Sequence, residues 1–174
     1  MQVSVLASGS TGNAIYVQKG ATRLLIDAGL SAREITKRLV AIGVELKKLH
    51  GILVSHEHHD HVGGVGVLAR KLRCPVWMTR GTFDASRRRF KGRERIRLIE
   101  NDETFTVGDV RARAFSISHD ALDPVNFVIE DGDTQVAVAT DMGKVTPLVY
   151  ERLRGADMVI MESNYDRDLL MNGS

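Results

Sequence analysis

Ser55-His56-Glu57-His58-His59-Asp60-His61-Val62-Gly63-Gly64 is the stretch on which the fold of this chain turns. It gathers four of the chain's six histidines, with two acids among them. The residues before it, Gly51-Ile52-Leu53-Val54, are a short apolar run of the kind that forms a buried strand. After Gly63-Gly64, the residues Val65, Leu68 and Leu72 fall on one face of a helix. The cluster therefore marks a corner between a strand and a helix, where side chains can face a ligand instead of packing.

The spacing says more than the number. His56 and His58 are two apart, so on extended backbone they point the same way. Asp60 and His61 are adjacent, so they diverge and can serve a different centre. H-x-H-x-D-H is the arrangement two neighbouring metal ions need, with imidazoles for one and a carboxylate and an imidazole for the other. These donors suit zinc, manganese or iron, and the lack of thiolates argues against a structural cysteine-rich zinc site. The plainer alternative is a solvated histidine-rich loop. Placement at a strand end, with matching partners downstream, favours ligation.

Outward from this corner the same pattern recurs. Val110–Ser118 reads as a strand running into His119-Asp120, paired with 105–107 across Gly108-Asp109. Val125–Glu130 and Thr134–Ala139 form a hairpin around Asp131-Gly132-Asp133, and the second strand runs into Thr140-Asp141. Met158–Met161 is a continuous apolar run, expected as a fully buried strand, and ends in Glu162. In layered α/β folds ligands gather where strand ends converge. His119 can complete a three-histidine site with His56 and His58, and Asp141 can bridge both ions.

Upstream, residues 2–7 read as a strand ending in the small-residue loop Ala7-Ser8-Gly9-Ser10-Thr11-Gly12-Asn13. Such a loop admits an anion to backbone N–H groups, although a plain tight connection reads the same way. A hairpin, Ala14–Val17 with Arg23–Ile26, leads to Asp27, read as a loop or cap residue. Ser31 with Glu34 forms a capping box for a helix whose stripe is Ile35, Leu39 and Ile42, stopped by Gly43. Pro75–Thr79 is a further strand. Thr146-Pro147 opens a last helix.

The 174 residues make one domain, 43% hydrophobic and 26% charged, as in ordinary globular proteins. A net charge of +2 makes no global demand for nucleic acid or an acidic membrane. A single cysteine, Cys74, allows no internal disulfide and points to the cytoplasm. No signal peptide is expected at the N-terminus, and no apolar run has the length of a membrane span. The one strong charge bias lies in residues 82–97, where Arg87, Arg88, Arg89, Lys91, Arg93, Arg95 and Arg97 interleave with Phe83 and Phe90. That is a footprint of nucleic-acid binding, or else a solvated helix face followed by an edge strand.

With these residues in place, the chain resembles the metallo-β-lactamase superfamily of metal-dependent hydrolases, and within it the YycJ/WalJ-type branch. The resemblance rests on Ala7-Ser8-Gly9-Ser10, Leu25-Ile26-Asp27-Ala28-Gly29-Leu30, Ser55–Gly64, Ser118-His119-Asp120-Ala121, Ala139-Thr140-Asp141-Met142-Gly143 and Glu162-Ser163-Asn164. It implies an α/β fold, an αββα sandwich with a dinuclear centre at one edge. It also implies exonuclease or phosphodiesterase activity on nucleic acid or a small phosphodiester, through hydroxide activated by two divalent ions, zinc or manganese. His56, His58, His119 and shared Asp141 would hold the first ion, and Asp60, His61 and Asp141 the second. Asp60 would double as the catalytic proton acceptor. Ser10, Asn13, Arg87 and Arg88 are the candidates for contacting phosphates. Family members continue past the equivalent of Asn172-Gly173-Ser174 to a later histidine that ligates the second metal. The expectation is thus a C-terminally incomplete sandwich with a weakened second site and an apolar edge that invites oligomers. Two alternatives remain open: a thioester or other ester hydrolase of the same fold, and a catalytically idle, metal-stabilised domain that binds nucleic acid.

Overall fold

A computed structural model describes residues 1–162. Its eleven strands form two sheets. The first runs in the order β1 (Gln2–Ala7), β2 (Ala14–Lys19), β3 (Thr22–Ile26), β4 (Gly51–Leu53), β5 (Val76–Thr79) and β6 (Ile96–Ile99). Strands β1 to β3 are antiparallel neighbours, and β3 to β6 are all parallel. The second sheet takes the order β11 (Met158–Met161), β10 (Gln135–Ala139), β9 (Val125–Glu130), β8 (Val110–Ser116) and β7 (Thr104–Val107). Five α-helices join them: α1 (Ala32–Ala41), α2 (His59–Val62), α3 (Val65–Leu72), α4 (Arg80–Ser86) and α5 (Pro147–Arg154).

Side-chain alternation sorts the strands into layers, because successive residues of a strand face opposite sides. On β2 and β3, Ile15, Val17, Leu24 and Ile26 face the second sheet, where Ala112, Ala114, Phe127 and Ile129 meet them. The intervening Tyr16 and Leu25 face the other way and pack with Ile35 and Leu39 of α1 and Leu68 of α3. On the far side of the second sheet, Phe115 and Val128 pack with Val149 of α5. Helices, sheet, sheet, helix is the expected αββα sandwich.

Helix ends follow the sequence signals. Ser31 Oγ accepts the Glu34 N–H at 3.2 Å, but the Glu34 carboxylate turns to Arg38 at 2.9 Å instead of closing the capping box. Thr146 Oγ1 accepts the Val149 N–H at 3.2 Å, with Pro147 in the first turn of α5. Gly43 ends α1 in the left-handed region at φ 77°.

Two expectations need correction. The histidine stretch does not run straight into the expected helix, which is α3: a single turn, α2, comes first and carries Asp60 and His61. Nor is 158–161 a fully buried strand. Among the described residues it pairs in parallel with β10 alone, as the outer strand, and Met158, Val159 and Met161 are exposed. A continuous apolar run reports strand propensity, not the number of neighbours. Ser163 and Asn164 lie outside the described residues, as does the 172–174 end. Among the described residues no helix is long and apolar enough to cross a membrane.

Candidate metal centre

The parallel strands of the first sheet all deliver their C-terminal ends to one edge. There β3 runs into Asp27, β4 into Ser55-His56, and the second sheet brings β8 towards His119 and β10 into Asp141. Backbone hydrogen bonds between loops hold the histidine corner and its single turn, α2, in place. Asn13 N donates to Asp60 O (2.7 Å), Ala28 N to His61 O (2.8 Å) and Gly64 N to Ala28 O (2.7 Å). Approach is so close at Gly29 that a Cβ there would stand 1.6 Å from the Asp60 carbonyl oxygen. The two sheets are tied beside the site: Val125 N donates to Ser55 O at 3.0 Å. Buried Asn126 clamps the backbone of Thr140, donating to its carbonyl at 2.8 Å and accepting its N–H at 3.3 Å.

Two groups of ligand-type atoms result. His56 Nε2 and His119 Nε2 each lie 3.1 Å from His58 Nδ1, with the His58 ring nearly perpendicular to both others. Three nitrogens that crowd together from crossed rings are spaced like co-ligands, since metal bonds of about 2.0–2.1 Å place neighbouring ligand atoms roughly 3.3 Å apart. The second group is His56, His61 and Asp141, whose ligand atoms lie within 4.8 Å of one another. Asp141 Oδ2 is buried and 2.9 Å from His61 Nε2, yet makes no hydrogen bond among the described residues. At 2.9 Å the two atoms are as close as two ligands of one cation. The donor set thus fits divalent ions in both groups.

Asp60 joins neither group of three; its Oδ2 stands 3.4 Å from His61 Nε2 and accepts from Asn13 Nδ2 at 3.2 Å. Asn13 is buried. Its Nδ2 also lies 2.9 Å from His61 Nε2, and its Oδ1 accepts the Gly9 N–H, so its polar atoms serve the corner and not a phosphate at the surface. Ser10 is exposed on the adjoining loop. Arg87 and Arg88 are exposed in the short turn after α4, and the sequence bias around them is a helix, a turn and the edge strand β6.

The residue that sequence reasoning passed over is Asp27. Its Oδ1 accepts the Ser55 N–H at 2.8 Å, and its Oδ2 lies 2.8 Å from both Ser55 Oγ and His61 Nδ1. A carboxylate behind a ligand histidine fixes the ring and its tautomer. Asp27 and Asp141 both adopt left-handed backbone, at φ 58° and 53°, a strained conformation that Asp tolerates better than most residues. The signal available beforehand was only that Asp27 ends a strand.

Charge follows this arrangement. Burial opposes a charge on His61, but the Asp27 and Asp141 carboxylates outweigh it and raise the imidazole to about 10. Burial, assisted by His61, holds His56 down at about 3. Burial also lowers His119. At Asp141 burial pushes upward, and the neighbouring His61 overcomes it and lowers the carboxyl. Beside Asp141 and His119 opens a cavity of ≈ 370 Å³ that reaches Met142, Val145, Met161 and Glu162.

A four-layered sandwich with this cluster at one edge defines a class, the metallo-β-lactamase fold. The chain belongs to it: the family model described as "Beta-lactamase superfamily domain" matches residues 22–173. Over 99% of its length the chain is 36% identical to "Exodeoxyribonuclease YycJ" of Bacillus anthracis, of which it covers 66%. Over 98% it is 36% identical to "Exodeoxyribonuclease WalJ" of Streptococcus pneumoniae, of which it covers 65%. The chain thus spans just under two thirds of these relatives. Among solved structures, a Cronobacter sakazakii metallo-β-lactamase mutant superposes with a TM-score of 0.73 at 16% identity, over 91% of this chain and 74% of that one. That likeness concerns the fold alone.

Proposed function

We propose that the chain is the metal-binding part of a nuclease that hydrolyses phosphodiester bonds in nucleic acid. The observation that carries this reading is the pair of adjoining ligand groups centred on His56, one of three imidazoles and one that adds a carboxylate. The names of the relatives, both exodeoxyribonucleases, supply the substrate class. His56, His58 and His119 would hold one ion, and His61 and Asp141 the second, with Asp60 at its rim. The imidazole-rich first group suits zinc, and the carboxylate-bearing second accepts zinc or manganese. Bound ions would supply Lewis acidity that makes water nucleophilic near neutral pH and offsets charge on the phosphoryl oxygens.

The chain's own residues do the rest. Asp60, steadied by Asn13, is the carboxylate placed to accept a proton from the attacking water. Asp27 keeps His61 facing the site through Nδ1. The cavity beside Asp141 receives the substrate, its wall apolar at Met142, Val145 and Met161. The test is the Asp60→Asn variant, assayed on labelled DNA and on an aryl phosphodiester with zinc or manganese added. Loss of a general base predicts a rate lower by about 10²–10⁴-fold with bound metal little changed. Hydrolysis by the wild type that persists in excess chelator, or that is confined to thioesters, would remove the proposal.

A further inference from the structure

The sheet edge opposite the metal centre carries a basic groove that the catalytic reading leaves unused. Because β3, β4, β5 and β6 are parallel, the residues that enter them collect at one end: Arg23 on β3, His50 before β4, Pro75 before β5 and Arg95 before β6. Two cavities of ≈ 690 and ≈ 720 Å³ lie there and share Arg73 and Arg95 in their walls. Their cations are Arg23, Lys47, Arg70, Arg73, Arg93 and Arg95, and the one acid among the described lining residues is Glu94. Glu94 is already engaged, by the Arg70 guanidinium and by the Lys91 and Arg93 N–H groups. No described carboxylate pairs with Arg23, Arg73 or Arg95, although Arg95 donates to the Arg73 carbonyl.

Two details set this groove apart from a merely solvated face. Arg73 ends α3 in the left-handed region at φ 54°, where glycine or asparagine is the unstrained choice. Strain held at one position points to what its side chain does there. Arg23 Nε is buried without a hydrogen-bond partner among the described residues. In a chain of net charge +2, such a concentration of cations is local and not compositional.

We infer that this edge is an exosite for the sugar-phosphate backbone of a nucleic acid strand, seated on Arg23, Lys47, Arg73 and Arg95. An extended row of cations on flexible stems suits a polyanion, whereas a single small anion calls for converging buried donors. Among the described residues no Phe, Tyr or Trp lines either cavity and His50 is the one ring there, so contact is chiefly with backbone and carries little base preference. The rise of a strand puts Arg23 about 13 Å from Asp27 and His50 about 20 Å from His56. A strand stacked as in duplex, at 3.4 Å per nucleotide, covers that separation in about four to six nucleotides. The partner class is taken from the nuclease reading and rests on it, but the test reads binding alone.

That test is fluorescence anisotropy of labelled single-stranded oligonucleotides, 4 and 20 nucleotides long, across a salt series. Lys47→Gln combined with Arg73→Gly is the decisive variant, because glycine relieves the left-handed backbone and the fold should survive. For the 20-mer, which can span both sites, loss of two phosphate contacts lowers the salt slope by about 1.4, and the slope of the 4-mer, with fewer phosphates, falls by no more than that. Aryl phosphodiester hydrolysis stays at the wild-type rate. An unchanged slope, a slope lost instead in an Arg87→Gln, Arg88→Gln variant, or a wild type that ignores DNA but binds an acidic protein would each overturn the exosite. DNA binding that depends on Lys47 and Arg73 in a chain that cleaves no phosphodiester would end the nuclease reading and leave the exosite standing.

Discussion

Asp27 shows how much of this site depends on a residue that touches no substrate. Its carboxylate engages Ser55 twice and His61 once, and every one of these groups is buried. Asp27→Ala should weaken metal binding by about 10–100-fold, seen as earlier loss of one ion in a chelator titration while the three-histidine group holds its own. The same carboxylate makes binding at the second group pH-dependent. His61 is raised to about 10 by Asp27 and Asp141, so at pH 7 it carries a proton that a metal must displace. Affinity there should climb about tenfold per pH unit from neutrality and level off near the imidazole's own value. His56, held down at about 3, adds nothing to that slope. Calorimetry at pH 7 in buffers of different ionisation enthalpy should therefore register about one proton released. Equal heats in all buffers would contradict it. The H-x-H-x-D-H spacing made the histidines of the proposed centre legible from sequence. Asp27 was not, because its role needs a left-handed backbone and the parallel pairing of β3 with β4, neither of which a single residue announces.

At the scale of elements, the site is built where regular structure stops. Loops 7–13, 27–31 and 54–64 lock together through main-chain hydrogen bonds, and Gly29 is the point of closest approach. Gly29→Ala would drive a methyl into the Asp60 carbonyl, so the corner must open or the fold must give. A loss of at least about 3 kcal/mol in urea unfolding, with weaker metal retention, is expected; a wild-type midpoint would show that the corner yields cheaply. Strand ends and caps such as Ser31, Thr146 and Gly43 were readable because their chemistry is local. The α2 turn and the exposure of β11 were not. The first is a tertiary consequence of packing Asp60 and His61 against 27–29, and the second depends on how many strands lie beside a run whose apolar composition is the same either way.

For the whole molecule, the consequence lies in the seam between the two sheets. His56, His58 and His61 belong to the first sheet's edge, and His119 and Asp141 to the second's. Protein joins these edges there through the Val125–Ser55 bond, the Leu122 N–H donated to the Glu57 carboxylate and the Thr79 hydroxyl donated to the Asp123 carbonyl. An ion shared by both sides acts as a cross-link between segments far apart in sequence, and binding energy that exists only in the folded chain becomes folding energy. Chelation should therefore lower the melting temperature markedly and speed amide exchange in β4 and β9 together, while β1 and β2 keep their protection. Stripping metal that leaves melting unchanged would mean that the sheets hold without it. In polymer terms the ion is a rivet: it clamps, in the folded chain only, segments that the unfolded chain leaves free, so the chemistry and the persistence of the fold draw on one bond network and fail together.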